Sequence, residues 1–430
     1  MSRRSLPDAL VALMNGHRIG VVEREGSRLR FVYDGGWVQH GPGFPISLSM
    51  PMTERSHGHD KIYPWLWNLL PDNERTLTLM AAQHDVSAKN PFALLWRTGE
   101  DCPGAIQFVE EGRVDHLKFG GEIEWLTDEQ IGERLRRLKV EASTGRREGE
   151  GQFSLPGAQP KTALCRIDGR WGIPSGRIPT THILKPPTIS DIDGHAHNEH
   201  FCLALARKVE ITAARSEIGV FGGEIAIVIE RFDRVKSPTG AYVRVPQEDL
   251  CQSLGVHPAL KYEPDGGPGI GAIMTLLRLS SKAALDRQRF MQAIAFNFLI
   301  GGTDAHAKNY SMLFGRNQAR LAPLYDLASY LPYFGPQEKR WQDIRMPMKI
   351  GDNYLYDAVY PRHWERMASA VGYPAGAALE QVKTLVATLP AAAEEIAAEM
   401  RAHGLDHPVL DRLVSGIASR CQSVARAWEI

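Results

Sequence analysis

Asp304 and Asn309 stand in "GTDAHAKN", with four residues between them, directly after the apolar run "FNFLI". That spacing suits a phosphoryl-transfer loop. The aspartate would accept a proton from an attacking hydroxyl, and the asparagine oxygen would hold a metal. Asp326 in "LYDLAS" follows another apolar segment and supplies a second hard oxygen ligand, which suits Mg2+ because that ion takes few protein ligands and keeps several waters. Lys185 ends the alternating stretch "THILK", where Pro186 and Pro187 stop the strand, and could neutralise phosphates. Upstream, "SLPGAQPKTAL" puts Gly157 and Lys161 in a turn leading into a strand. It is neither a Walker loop nor a three-glycine kinase loop, but its N–H groups could form an anion nest. "AIVIERFDR" reads as a buried strand whose end, Glu230 to Phe232, could offer backbone groups to an adenine edge.

Each feature alone has a plainer reading. Asp304 and Asp326 could be helix caps, Lys185 a surface lysine, and Glu230 to Phe232 a strand end with an ion pair. Their order carries more weight. Loop, strand lysine, helix carboxylate, hinge strand, Asp304 with Asn309, and Asp326 follow one another as a kinase fold requires.

The elements that must position these residues fall into three parts. Residues 1–145 read as a small α+β unit. Asn15-Gly16 in "DALVALMNGHRIGVVERE" signals a two-residue hairpin, since both residues tolerate positive φ. "RLRFVYD" alternates as a third strand, "YPWLWNLLPDNERTLTLMAAQHD" turns helical, and Asp72 is placed to cap the helix after Pro71. The basic run Arg134, Arg136, Arg137 and Lys139 reads mainly as a solvated helix face, and a charged, Gly-rich boundary follows. Residues 146–245 are rich in strands, interrupted by the helix "NEHFCLALARKVEI", and residues 246–430 become helical. Leu410, Leu413, Ile417, Cys421 and Val424 form one apolar stripe near the end.

Bulk composition narrows the function classes. The 430 residues are 43% hydrophobic, with 50 Lys plus Arg against 50 Asp plus Glu, so a large core is affordable and no net charge draws the whole chain to nucleic acid. Five scattered cysteines, none in a Cys-x-x-Cys pair, argue against a disulfide framework or a zinc site and for a reducing compartment. The start of the sequence does not read as a signal peptide, and no apolar run reaches membrane-spanning length. A cytoplasmic protein without membrane contact is expected.

"SLPGAQPKTAL", "ILKPP", "NEHFCLALA", "VIERFDR", "PQEDLCQSLG", "KYEPDGGPGI", "GTDAHAKN" and "LYDLAS", together with "PISLSMP" and "NLLPDNE" in the first part, resemble the HipA family, the serine/threonine-kinase toxins of bacterial toxin–antitoxin pairs. The resemblance runs through nearly the whole chain. It implies an α+β fold of two lobes, sheet and helical, behind an N-terminal α+β subdomain, using ATP and Mg2+. Asp304 then matches the catalytic base. Ser154, Leu155, Pro156, Gly157, Ala158, Gln159 and Lys161 match the phosphate loop, with Ser154 the serine these kinases autophosphorylate and thereby switch themselves off. Lys185 matches the ATP-contacting lysine. Glu230, Arg231 and Phe232 match the adenine hinge, and His306, Lys308, Asn309, Tyr325 and Asp326 match nucleotide and metal neighbours, with Asn309 and Asp326 on the metal. Glu199 could pair with Lys185 as the helix glutamate of protein kinases does. The resemblance also implies an aminoacyl-tRNA synthetase substrate, notably the glutamyl enzyme, with growth arrest as the outcome. It implies a small helix-turn-helix, HipB-like antitoxin partner that reaches operator DNA.

The sequence departs from the family at Pro160, where a glutamate is common and where proline stiffens the turn. Few basic residues follow "YPRHWERMASAVGYP", so operator contact is expected mainly through the antitoxin. His195, His197 and His200 in "GHAHNEH" have a spacing a metal could use, but Asn198 beside them reads as a helix cap. Two other functions remain open from sequence: a co-repressor with an idle kinase lobe, and a small-molecule kinase.

Overall fold

The computed structural model describes residues 5–144, 154–187, 193–333 and 341–430, without the side chains of 141–144. The Gly-rich boundary at 145–152 lies outside the described residues. The expected hairpin forms between Ala9–Met14 and His17–Glu25, with Asn15 at φ 48° and Gly16 at φ 81° closing the turn. Arg28–Tyr33 adds the third strand, and Ile106–Val109 pairs with the first from the other side. Helices His59–Trp67, Glu74–His84 and Pro91–Thr98 accompany this sheet. Asn73, not Asp72, caps the second, accepting from the N–H groups of Arg75 and Thr76. Either residue suits a cap, and the rest of the fold claims Asp72.

The second sheet has six strands in the order Ser216–Phe221, Glu224–Glu230, His182–Lys185, Thr162–Ile167, Arg170–Pro174 and Ile123–Leu126. The last belongs to the stretch assigned to the N-terminal unit. So does helix Asp128–Thr144, whose Ile131 and Leu135 pack on Leu164, Leu184, Ala226 and Val228 of this sheet. Strand pairing thus joins Ile123–Leu126 to this second sheet, and Ile131 and Leu135 of the following helix are buried against it. Of the basic run, Arg137 pairs with Glu133 on the helix surface, Arg136 pairs with Glu133 and also donates to Gly222 O at 3.2 Å, Lys139 reaches Glu224 at 2.5 Å, and Arg134 donates to Thr162 at 2.8 Å.

The final part is mainly helical, around Ala283–Ile300, Pro361–Ala370, Ala375–Ala402 and Val409–Trp428. It also carries a small sheet, Gln247–Asp249, Ser311–Gly315 and Gln318–Leu321, which the helical reading omitted. Every residue of the Leu410 to Val424 stripe is buried, and all five cysteines are free and buried. Among the described residues no helix is long and apolar enough to cross a membrane.

Candidate active site

The two-residue period of the central strands builds one wall of a cleft between the lobes. Leu184, Ala226 and Val228 face helix Asp128–Thr144, so Ile183, Lys185 and Ile229 face the other way and line the cleft. Lys185 sits on a central strand, opposite Ile227 in the ladder, and Pro186 ends the strand there. Its ammonium donates to Glu199 Oε1 at 2.7 Å and to Asp326 Oδ1 at 2.6 Å. Burial disfavours this ammonium, but Asp326 and Glu199 outweigh burial and hold its pKa above the usual value. Burial likewise works against the Asp326 carboxylate, and Lys185 and Lys161 keep it ionised, well below the usual range. Asp326 has φ 56°, a left-handed conformation that aspartate tolerates better than most residues, so it caps no helix.

The opposite wall comes from the helical lobe. Helix Ala283–Ile300 ends at Gly301, φ 64°, and the chain turns through Asp304 into a short 3-10 turn, Ala307–Asn309. Asp304 is not a cap. Its carbonyl accepts from the Asn309 amide at 2.6 Å, which ties the two ends of the motif and leaves Asn309 Oδ1, the atom a metal would take, outside that bond. Asn309 and Asp326 line the same cleft. The Asp304 side chain is 62% exposed, is not among the residues lining the cleft, and accepts the Tyr262 hydroxyl. A protein substrate would offer that carboxylate the same kind of group.

The loop residues Leu155, Pro156, Gly157 and Lys161 close the cleft from the sheet lobe. Gly157 has φ 105°, and a Cβ there would meet the Lys161 ammonium, which donates to Pro156 O at 2.6 Å. Burial and the neighbouring Lys185 lower the Lys161 pKa to about 8. Phe232 and Tyr325 provide an aromatic flank, ring centroids 5.6 Å apart, and the Tyr325 hydroxyl donates to Lys308 O at 2.6 Å. Glu230 and Lys308 also line the cleft.

Several expected contacts fall elsewhere. Ser154 is fully buried, its hydroxyl donating to Leu69 O at 2.7 Å and its N–H to Asp101 O at 3.0 Å, so it does not face the cleft. Ala158 is exposed, and Gln159 bonds His195 at 2.9 Å, so neither lines the cleft. His306 is buried against the edge of the Tyr262 ring, and burial lowers its pKa to about 4, leaving a neutral imidazole that is not part of the lining.

The hinge differs most. The N–H groups of Glu230 and Arg231 are already given to Arg215 O and Thr181 O, each at 2.9 Å, which removes them from adenine binding. Arg231 lines the cleft, but its guanidinium is held in a buried network with Asp101 at 3.3 Å and Asp233 at 2.8 Å. Arg234 and Arg244 join the same Asp101 carboxylate, each at 3.1 Å.

The helix carrying Glu199, His195–Lys208, starts after Gly194, so Asn198 is an interior residue, bonded to both Ser329 N and Ser329 O. His195, His197 and His200 turn to three different partners, Gln159, His407 and Ser216.

The residues present fit a nucleotide with Mg2+. Asn309 and Asp326 share one cleft with three lysines, Lys161, Lys185 and Lys308, an aromatic pair flanks it, and Glu199 Oε2 is buried without a hydrogen-bond partner among the described residues. Asp72 and Asn68 of the first part also line the cleft. Sequence reading missed Asp72 because its partners, Lys261 and Lys308, lie far along the chain.

A sheet lobe and a helical lobe enclosing a cleft with a lysine–glutamate pair define an α+β protein of kinase-like fold. The chain belongs to the HipA family of serine/threonine-kinase toxins: the HipA N-terminal domain matches residues 10–109 and the HipA-like C-terminal domain residues 153–401. It is 31% identical over 411 residues to Y4mE of Sinorhizobium fredii, which bears a kinase name, covering 94% of each chain. It is 29% identical over 390 residues to the serine/threonine-protein kinase toxin HipA of Shewanella oneidensis, covering 85% of this chain and 83% of that one. HipA of the Shewanella oneidensis HipA, HipB and operator DNA complex shares the fold, with TM-score 0.82 and 24% identity over 98% of this chain and 99% of that chain.

Proposed function

We propose that this chain is an ATP- and Mg2+-dependent protein serine/threonine kinase that acts as the toxin of a toxin–antitoxin pair. The observation that carries the reading is the convergence of Lys185, Glu199 and Asp326 beside Asn309, which is itself bonded to the Asp304 carbonyl. In this reading Asn309 and Asp326 hold the metal, which would screen the phosphate charges when bound. Lys185 and Lys161 hold phosphate oxygens, Phe232 and Tyr325 flank the base, and Asp304 takes the proton from the acceptor hydroxyl.

The wider biology rests on relatives. A named toxin aligns over most of the chain, and a structure of the same fold holds HipB and operator DNA. A HipB-like helix-turn-helix antitoxin, with DNA reached mainly through it, is the corresponding partner here. The substrate is a serine of a cytoplasmic protein, with an aminoacyl-tRNA synthetase such as the glutamyl enzyme the first candidate. Ser154 is the site of self-inactivation. An idle co-repressor would have no physical need for Asp304, Asn309 and Asp326 together.

Phosphoproteomics after brief induction, wild type against Asp304→Asn, tests the reading. Phosphoserine on a synthetase in wild type alone is expected. Identical profiles and equal growth arrest would reject the kinase.

A further inference from the structure

Asp72 belongs to the N-terminal part of the chain, yet it lines the kinase cleft. Each of its carboxylate oxygens takes one lysine. Lys308 Nζ lies 2.8 Å from Oδ1, and Lys261 Nζ lies 2.8 Å from Oδ2. The three side chains are 11%, 3% and 17% exposed, in the order Asp72, Lys308, Lys261. Local structure does not explain this carboxylate, because Asn73 caps the adjoining helix. A desolvated ion pair is a poor stabiliser compared with apolar packing, so its geometry calls for another account.

Lys308 sits between Asp304 and Asn309. Both of its ends are fixed from outside the motif. Its carbonyl accepts the Tyr325 hydroxyl at 2.6 Å, and its ammonium donates to Asp72 and, at 3.4 Å, to Asn68 O. An ammonium has three donors, so one remains for a ligand in the cleft that Lys308 lines. We propose that Asp72 is a positioning residue for phosphoryl transfer, fixing the Lys308 ammonium toward the transferred phosphate and so making the N-terminal part a working component of the active site. The proposal builds on the kinase reading above.

Charge and geometry then pull in opposite directions. Asp72 is negative and stands near where a polyphosphate must bind. Removing its charge frees two cations and leaves ATP binding equal or tighter. The same change releases Lys308 from its fixed direction, and preorganised charge is what lowers the barrier. Loss of Asp72 should therefore lower kcat without raising the ATP Kd, a split that general loosening of the cleft would not give.

The experiment compares full-length wild type, Asp72→Asn, Asp72→Glu and the double variant Asp72→Asn/Lys261→Met by ATP titration and by single-turnover phosphorylation of a protein substrate. The double variant restores the formal charge balance and keeps the test open if Asp72→Asn alone does not fold. Expected are a kcat at least about 10-fold lower in both Asn variants, an ATP Kd equal to or below wild type, and partial recovery in Asp72→Glu. A folded double variant with wild-type kcat would overturn the proposal, as would a Kd that weakens in step with kcat. Inactive wild type, indistinguishable from Asp304→Asn, would instead reject the kinase reading itself.

Discussion

Glu199, on helix His195–Lys208, reaches Lys185 on the central strand at 2.7 Å, and both side chains are almost fully buried. This contact sets the lysine against the cleft wall. Glu199→Gln keeps an acceptor oxygen but leaves Asp326 the one carboxylate on Lys185, which should draw the ammonium toward Asp326. A charge-assisted hydrogen bond contributes about 1.5–3 kcal/mol, so kcat/KM for ATP should fall roughly 10- to 100-fold. Steady-state kinetics with a fixed protein substrate checks it; an unchanged kcat/KM would mean the pair is ornamental.

Asp304→Asn keeps the shape of the loop, since the Asn309 bond uses the Asp304 carbonyl and not its carboxylate. Transfer to protein should drop by about 10²- to 10⁴-fold, the usual contribution of a positioned base. ATP binding should persist, because Asp304 stands outside the lining of the cleft. Calorimetric titration alongside the kinase assay separates the two.

Ser154 lies buried with its hydroxyl on Leu69 O, 2.7 Å away. A phosphate there adds up to about two negative charges and cannot occupy that position, so the modified loop must stay out. Incubation with Mg-ATP should add one phosphate to wild type as activity decays, while Ser154→Ala gains none and keeps its activity. Intact mass and activity, sampled together, decide it. Activity that decays equally in Ser154→Ala would place self-inactivation elsewhere.

Lys161, with a pKa lowered to about 8, loses its charge as the pH rises through that value. Below it the ammonium attracts phosphate, and above it the neutral amine does not. The free-enzyme profile of kcat/KM for ATP should therefore decline above about pH 8. Lys161→Arg keeps its charge and should flatten the alkaline limb.

For Asp72, burial raises the carboxyl pKa, but Lys308 and Lys261 outweigh burial and bring it down to about 2, from an ordinary 3.8. A carboxylate depressed in the folded state stabilises fully above its unfolded pKa, and that stabilisation fades as pH falls toward the folded value. The shift corresponds to about 2 kcal/mol. The stability gap between wild type and Asp72→Asn, from urea unfolding, should be largest at pH 6 and narrow as pH drops to 3.

The sequence carried the local features well. Asn15-Gly16, the alternation ending at Lys185, and the order from phosphate loop to Asp326 are written in neighbouring residues. Features set by distant partners were not legible. Asp72 and Asn73 suit a cap equally, and only lysines some two hundred positions away select Asp72 for another duty. Arg231 reads as part of a hinge from its place at a strand end, yet Asp101, 130 residues earlier, claims its guanidinium. His306 has the right position in the motif, but its burial under Tyr262 depends on a loop that periodicity does not position.

Asp101 shares its buried carboxylate among Arg231, Arg234 and Arg244, while its carbonyl takes the N–H of Ser154. One residue of the first unit thus clasps Arg231 at a strand end and the start of the 154–161 loop. Grafting the first unit of a distant relative onto this chain without an equivalent acid would leave Arg244 with no carboxylate and Arg231 and Arg234 with Asp233 alone. A hybrid assembled at residue 110 should therefore be less stable than the parent chain until that acid is restored.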